Sequence, residues 1–179
     1  MMYSGWFIVQ NNRRFNCSFQ LWPSSTKAEL IAIWTFLLTC PINSSIQIIT
    51  DSQAAIDGIT NHFTISTIRL YLKFTNSPIL DAIRHSTTVK NLKVDYVKVK
   101  SHSGDSGNDL ADDIVKSAIT HSESNQDRII ETSNFPTHKL AFQPFFRSLS
   151  WDGHFWKSLS TLMGFVNNAE WSLNSHSRK

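Results

Sequence analysis

The chain has 179 residues, with 17 Lys+Arg against 14 Asp+Glu and a formal net charge of +3, which permits a nucleic-acid partner without arguing for one. Charged residues make up 17%, below the roughly 25% usual in globular domains, and 41% are hydrophobic, so a core can be buried and wholesale disorder is excluded. The two cysteines exclude a disulfide framework, no apolar run approaches the ~18 residues of a membrane span, and no basic residue precedes Trp6-Phe7-Ile8-Val9, so an intracellular, non-secreted protein is expected.

Residues Tyr3 to Gln10 are rich in strand formers, Asn11-Asn12-Arg13-Arg14 reads as a polar turn, and Phe15 to Leu21 alternates apolar with polar, which predicts a hairpin. Pro23-Ser24-Ser25-Thr26 supplies turn and cap chemistry for a helix through Leu38, with Leu30, Ile31, Trp34, Leu37 and Leu38 at helical spacing and Pro41 as its stop. Ile46-Gln47-Ile48-Ile49 reads as a buried strand that hands over at Asp51-Ser52 to a helix from Gln53 to Ile59. Helical pattern resumes around Thr67 to Phe74 and around Pro78 to His85, broken at Asn76-Ser77-Pro78. A strand follows over Leu92 to Lys100, then a loop from Ser101 to Gly107 and a helix from about Asn108 to Ile119. A hairpin combined with strand–helix–strand units implies an α/β fold with one mixed sheet and helices on its faces. After Thr120 a polar linker opens an aromatic-rich extension, so residues 1–120 are expected to form the main domain and 121–179 an appendage with short helices of its own.

Acids are scarce, and residues 1–28 hold none. Glu29 falls in the first turns of a helix, Asp51 at the carboxyl end of a strand, and Asp112 early in the last helix, after a loop with two glycines. Each has an ordinary alternative. Thr26-Lys27-Ala28-Glu29 fits a capping box, Asp51 fits a cap on the next helix, and Asp112 fits a solvated acid near a helix N-terminus. Against this, ligands of open α/β sheets gather beyond the carboxyl ends of strands, which is the address of Asp51. His102 on its own reads as a solvated loop histidine. Lys98, Lys100 and Lys116 read first as ordinary exposed bases of a strand edge and a helix face, with phosphate contact as the alternative.

Three segments, Ser24-Ser25-Thr26-Lys27-Ala28-Glu29-Leu30, Ile48-Ile49-Thr50-Asp51-Ser52-Gln53 and Lys100-Ser101-His102-Ser103-Gly104 with Asn108 and Asp112 after it, resemble the downstream motifs of ribonuclease H type 1 domains, in the version carried by retrotransposons. The resemblance spans roughly residues 3–120. It implies an RNase H-like mixed sheet with helices on both faces, and hydrolysis of the RNA strand of RNA–DNA hybrids. It further implies two Mg²⁺ or Mn²⁺ ions held by four carboxylates, three of them Glu29, Asp51 and Asp112, with His102 assisting proton transfer or product release. Asp109 is the second choice for the last ligand, because it lies seven residues after His102 where the family has ten, and Asp113 is expected to face solvent. By the same resemblance Ser25 and Thr26 face the minor groove of the hybrid, where 2′-hydroxyls and shape are read, and Lys100 and Asn108 are further substrate contacts.

The sequence departs from the family at its start. The family opens with a central strand ending in an Asp, written T-D-G-S, ahead of the hairpin, whereas this sequence opens inside the hairpin and offers no carboxylate before Glu29. The first strand and its metal-bridging Asp are therefore expected to be missing, leaving the chain by itself with little or no nuclease activity. The alternative is a non-catalytic nucleic-acid-binding or structural remnant of a retroelement. A transposase or integrase fits less well, since those enzymes typically end on a Glu where this chain has Asp112.

Overall fold

Strands β1 (Met2–Ile8) and β2 (Arg13–Phe19) pair antiparallel from Met2 opposite Phe19 to Ile8 opposite Arg13 in the computed structural model. The structure describes residues 2–19, 24–64, 74–100, 110–111, 113–117, 129–130, 145–146, 149–150, 157, 160–161 and 163–164. The hairpin turn is two residues earlier than its polar run predicts. Arg13 and Arg14 belong to β2, and Asn12 turns the chain at φ 55°, a left-handed conformation that asparagine tolerates.

Helix α1 (Ser25–Thr39) is capped by Ser24, whose hydroxyl accepts the Lys27 N–H at 3.1 Å. Its buried residues run nearly all round it, through Leu30, Ile31, Ile33, Thr35 and Leu37, while Leu38, expected on the apolar stripe, is 48% exposed. The reason is position: α1 packs against β1 on one side and against helices α2 (Gln53–Phe63) and α3 (Ser77–Val89) on another. A helix covered from several sides needs more than one apolar stripe. Its C-terminus is closed by a distant side chain, since the Lys90 ammonium donates to the carbonyls of Leu37 (3.0 Å), Leu38 (2.6 Å) and Cys40 (3.0 Å).

Strand β3 (Ser45–Thr50) runs parallel to β4 (Lys93–Lys98), in register from Ser45 opposite Lys93 to Thr50 opposite Lys98. The two strands start together because both preceding turns contain a left-handed asparagine, Asn43 (φ 59°) and Asn91 (φ 49°), and the Asn91 amide donates to Asn43 Oδ1 at 2.8 Å. Helices α2 and α3 form the crossover that parallel pairing requires. They run longer than their predicted spans, to Phe63 and Val89. The helical pattern expected around Thr67 to Phe74 lies outside the described residues except for Phe74, which is a bend. Strand β3 is buried on one face only: Ile48 and Thr50 point into the core, whereas Ile49 is 47% exposed, so the buried strand read from its apolar run is corrected to a half-buried one.

Successive residues of β1 show what lies on each face of the hairpin. The Ser4 hydroxyl donates to the Ala28 carbonyl of α1 at 2.6 Å. A β-carbon at Gly5, pointing to the opposite face, would lie 3.0 Å from the Phe15 carbonyl oxygen, 3.2 Å from Val115 Cγ2 and 3.4 Å from Ile114 Cγ2. Residues 110–111 and 113–117 are helical, so the hairpin lies between α1 and this helical segment, and a side chain at position 5 would make its neighbours give by a few tenths of an ångström. The fold is α/β with helices on both faces of a mixed sheet, as the sequence predicts.

The expected single sheet is present in pieces among the described residues. One holds β1, β2 and β5 (Ile129–Ile130), the last parallel to Ser18 and Phe19 of β2. Another holds β3 and β4, and β6 (Phe145–Phe146) and β7 (Leu149–Ser150) form a separate short hairpin. Each of β1 and β3 thus has one edge with no described strand beside it. At the α2–α3 contact, His62 and Asp81 are fully buried with Nε2 and Oδ1 3.6 Å apart, and Arg84 reaches the same Oδ1 at 2.8 Å.

Candidate active site

Glu29 does not cap its helix. The cap of α1 is Ser24, Thr26 lies inside the helix, and the Glu29 carboxylate instead reaches across to β3, where Oε2 accepts the Thr50 hydroxyl at 2.9 Å. The capping-box alternative therefore falls. Thr50 is itself 4% exposed, and its hydroxyl oxygen accepts the Ser52 N–H at 3.1 Å.

Asp51 does not cap α2 either. That role belongs to Ser52, whose hydroxyl accepts the Ala55 N–H at 3.2 Å. Asp51 stands half-buried at the carboxyl end of the parallel pair, held by its backbone: its carbonyl accepts Lys98 Nζ at 2.7 Å, and the Val99 N–H closes the ladder on the Thr50 carbonyl at 3.0 Å. With both capping alternatives removed, one carboxylate is hydrogen-bonded to the residue that immediately precedes the other. That matches the strand-end address at which open α/β sheets place ligands.

Residues 3–120 match the RNase H family. The chain belongs to that family. No curated protein matches the chain. RNase H domains act on RNA–DNA hybrids and generally use divalent metals, and the donors here suit that use: carboxylate oxygens are the ligands that hard cations such as Mg²⁺ take. No group of three or more His, Cys, Asp or Glu able to hold a metal occurs among the described residues, and of the carboxylates expected at the site Glu29 and Asp51 are the two described.

The other residues expected at the site divide by whether they are described. Ser25 is exposed and Thr26 half-buried in the first turn of α1, and Lys100 is exposed just past β4. His102, Asn108, Asp109 and Asp112 lie outside the described residues. Asp113 is exposed, as expected, and its carboxylate lies 3.6 Å from the Lys116 ammonium. Such an exposed pair contributes little. Among the bases, Lys98 binds carbonyls at the strand ends, its Nζ reaching Val99 O at 2.8 Å as well as Asp51 O. The residue that sequence reading passed over is Thr50. It stands inside the T-D-S triplet, where the Asp drew all the attention.

No helix among the described residues is long and apolar enough to cross a membrane.

Proposed function

We propose that this RNase H domain is built to hydrolyse the RNA strand of RNA–DNA hybrids with two Mg²⁺ or Mn²⁺ ions, and that the 179-residue chain by itself cuts little or not at all. Glu29, Asp51 and Asp112 are the ligands the chain offers. The observation that carries this reading is the Glu29 carboxylate tied through Thr50 to the strand end bearing Asp51. Divalent ions, when bound, supply charge to the scissile phosphate and a nucleophile at neutral pH. His102 moves a proton or aids product release. Ser25 and Thr26 meet the minor groove of the hybrid, and Lys100 and Asn108 hold its backbone.

No Asp or Glu precedes Glu29 within the 179 residues, so a polypeptide of these residues alone offers three of the four carboxylates the family uses and is expected to cut poorly. The same absence, with the unpaired edges of β1 and β3 among the described residues, favours a second reading, a non-catalytic nucleic-acid-binding remnant of retrotransposon origin.

A labelled RNA–DNA hybrid incubated with the full chain and Mg²⁺ tests the first reading. No cleavage above background is expected, and cleavage abolished by Asp51→Asn overturns the inactivity. Mn²⁺ binding that weakens in both Glu29→Gln and Asp51→Asn supports the ligand assignment. For the second reading, hybrid affinity should fall steeply between about 50 and 200 mM salt, as phosphate contacts require.

A further inference from the structure

Thr50 is fixed on every side. Its carbonyl accepts the Val99 N–H at 3.0 Å, its hydroxyl oxygen accepts the Ser52 N–H at 3.1 Å, and its β-branched side chain is buried. Branching at the β-carbon leaves few χ1 states, so the hydroxyl has little freedom to turn elsewhere. With the Ser52 N–H pointing at a lone pair, the one hydroxyl proton is directed to Glu29 Oε2 at 2.9 Å. A bond to an ionised acceptor is among the stronger hydrogen bonds, and burial strengthens it further.

This arrangement couples two elements that sequence keeps apart. Glu29 belongs to α1, whereas Thr50 belongs to β3 and is directly bonded along the chain to Asp51. A carboxylate on a long side chain has several rotamers. Pinning one of its oxygens to a rigid strand end selects the rotamer that turns it toward the residue preceding Asp51.

We propose that Thr50 is a positioning residue: its hydroxyl orients the Glu29 carboxylate so that Glu29 and Asp51 bind a divalent cation together. The proposal rests on the reading of Glu29 and Asp51 as metal ligands. Groups that orient a ligand through a hydrogen bond commonly change metal affinity by about tenfold or more when removed. Thr50 also has the geometry to discriminate between substitutions. Valine keeps its shape and loses the hydroxyl, and serine keeps the hydroxyl and loses the methyl.

The test is Mn²⁺ alone titrated into the full chain, with bound ion followed by electron paramagnetic resonance, in wild type, Thr50→Val, Thr50→Ser, Glu29→Gln and Asp51→Asn. Thr50→Val is expected to weaken binding about tenfold and, because the Ser52 N–H and the Glu29 carboxylate lose a partner, to lower the unfolding midpoint modestly, whereas Thr50→Ser is expected to bind nearly as wild type does. A purely structural role would lower the midpoint without weakening Mn²⁺ binding by the folded protein. If Glu29→Gln and Asp51→Asn weaken binding while Thr50→Val leaves it unchanged, the positioning role is overturned and the ligand assignment stands. If neither carboxylate variant changes binding, both fall. Should Thr50→Val fail to fold, Thr50→Ala set against Thr50→Ser makes the same comparison, with loss in the alanine variant alone as the supporting result and equal affinity as the overturning one.

Discussion

The Lys98 ammonium donates to the Asp51 carbonyl at 2.7 Å, so a base on one parallel strand closes the end of its neighbour at the residue proposed as a metal ligand. Lys98 is exposed, and each such bond contributes modestly to overall stability, on the order of 1 kcal/mol. Its effect is local. Lys98→Met should lower stability in urea by no more than about 1 kcal/mol while amide exchange at Val99, whose N–H bonds the Thr50 carbonyl, becomes several-fold faster. Unchanged exchange at Val99 would mean that the ammonium does not hold the strand ends.

Asp81 should matter far more than its distance along the chain from the candidate site suggests. Its carboxylate is fully buried, with His62 Nε2 at 3.6 Å and Arg84 at 2.8 Å on one oxygen. Removing Asp81 leaves the partly buried Arg84 guanidinium without its carboxylate, at a cost of about 3 kcal/mol, the lower end for breaking a buried pair because Arg84 is 28% exposed. Asp81→Ala is therefore expected to lower stability in urea unfolding by about that amount. A loss below about 1 kcal/mol would show that the network contributes little.

Most of the fold is legible in the sequence because its signals are local. Strand formers flanking Asn11-Asn12 give the hairpin, Ser24 before an apolar run gives α1, and Ser52 and Pro78 mark two further helix starts. What escapes is set by distant partners. Ile49 looks buried within Ile46 to Ile49 until the alternation of β3 turns it outward, and α1 is buried nearly all round because several elements surround it. At the site, residue type and order point to Glu29 and Asp51, yet a capping role fits each equally well. Only the neighbouring serines, seen making the caps, decide between the two. The contact between Glu29 and Thr50 crosses from helix to strand, so no local pattern announces it.

Lys90 closes the C-terminus of α1 with bonds to the carbonyls of Leu37, Leu38 and Cys40, the first of which also accepts the Cys40 N–H at 3.3 Å. Lys90→Met should cost about 1–2 kcal/mol, the scale for losing charge-assisted hydrogen bonds at a helix end. Urea unfolding measures it, and the loss should persist at high salt because the bonds are partly shielded from solvent. The Cys40 thiol is a neighbour of the same ammonium. Burial pushes its titration up and Lys90 pulls it down, so Lys90→Met should raise it further. Alkylation of native protein followed against pH checks the direction.

Tyr96 supplies a pH dependence with a defined sign. It lies opposite Ile48 in β4, and its phenol oxygen is buried with no hydrogen-bond partner among the described residues. Burial pushes the phenol up from 10.0 to about 12 by disfavouring the phenolate. In the unfolded chain the phenol ionises near its ordinary value, so above it the unfolded state is favoured. The contribution is therefore fully present below about pH 10 and is lost as pH rises toward about 12, reaching roughly 2–3 kcal/mol. Tyr96→Phe removes this slope. It also deletes an unpartnered buried hydroxyl, so at neutral pH the variant should equal or exceed wild type in stability. The difference between wild type and Tyr96→Phe isolates the phenol and is the informative quantity. Urea unfolding of both at about pH 8 and about pH 11.5 measures it. Wild type should lose more stability than the variant between the two conditions, and an equal loss in both would show that the phenol does not drive the change.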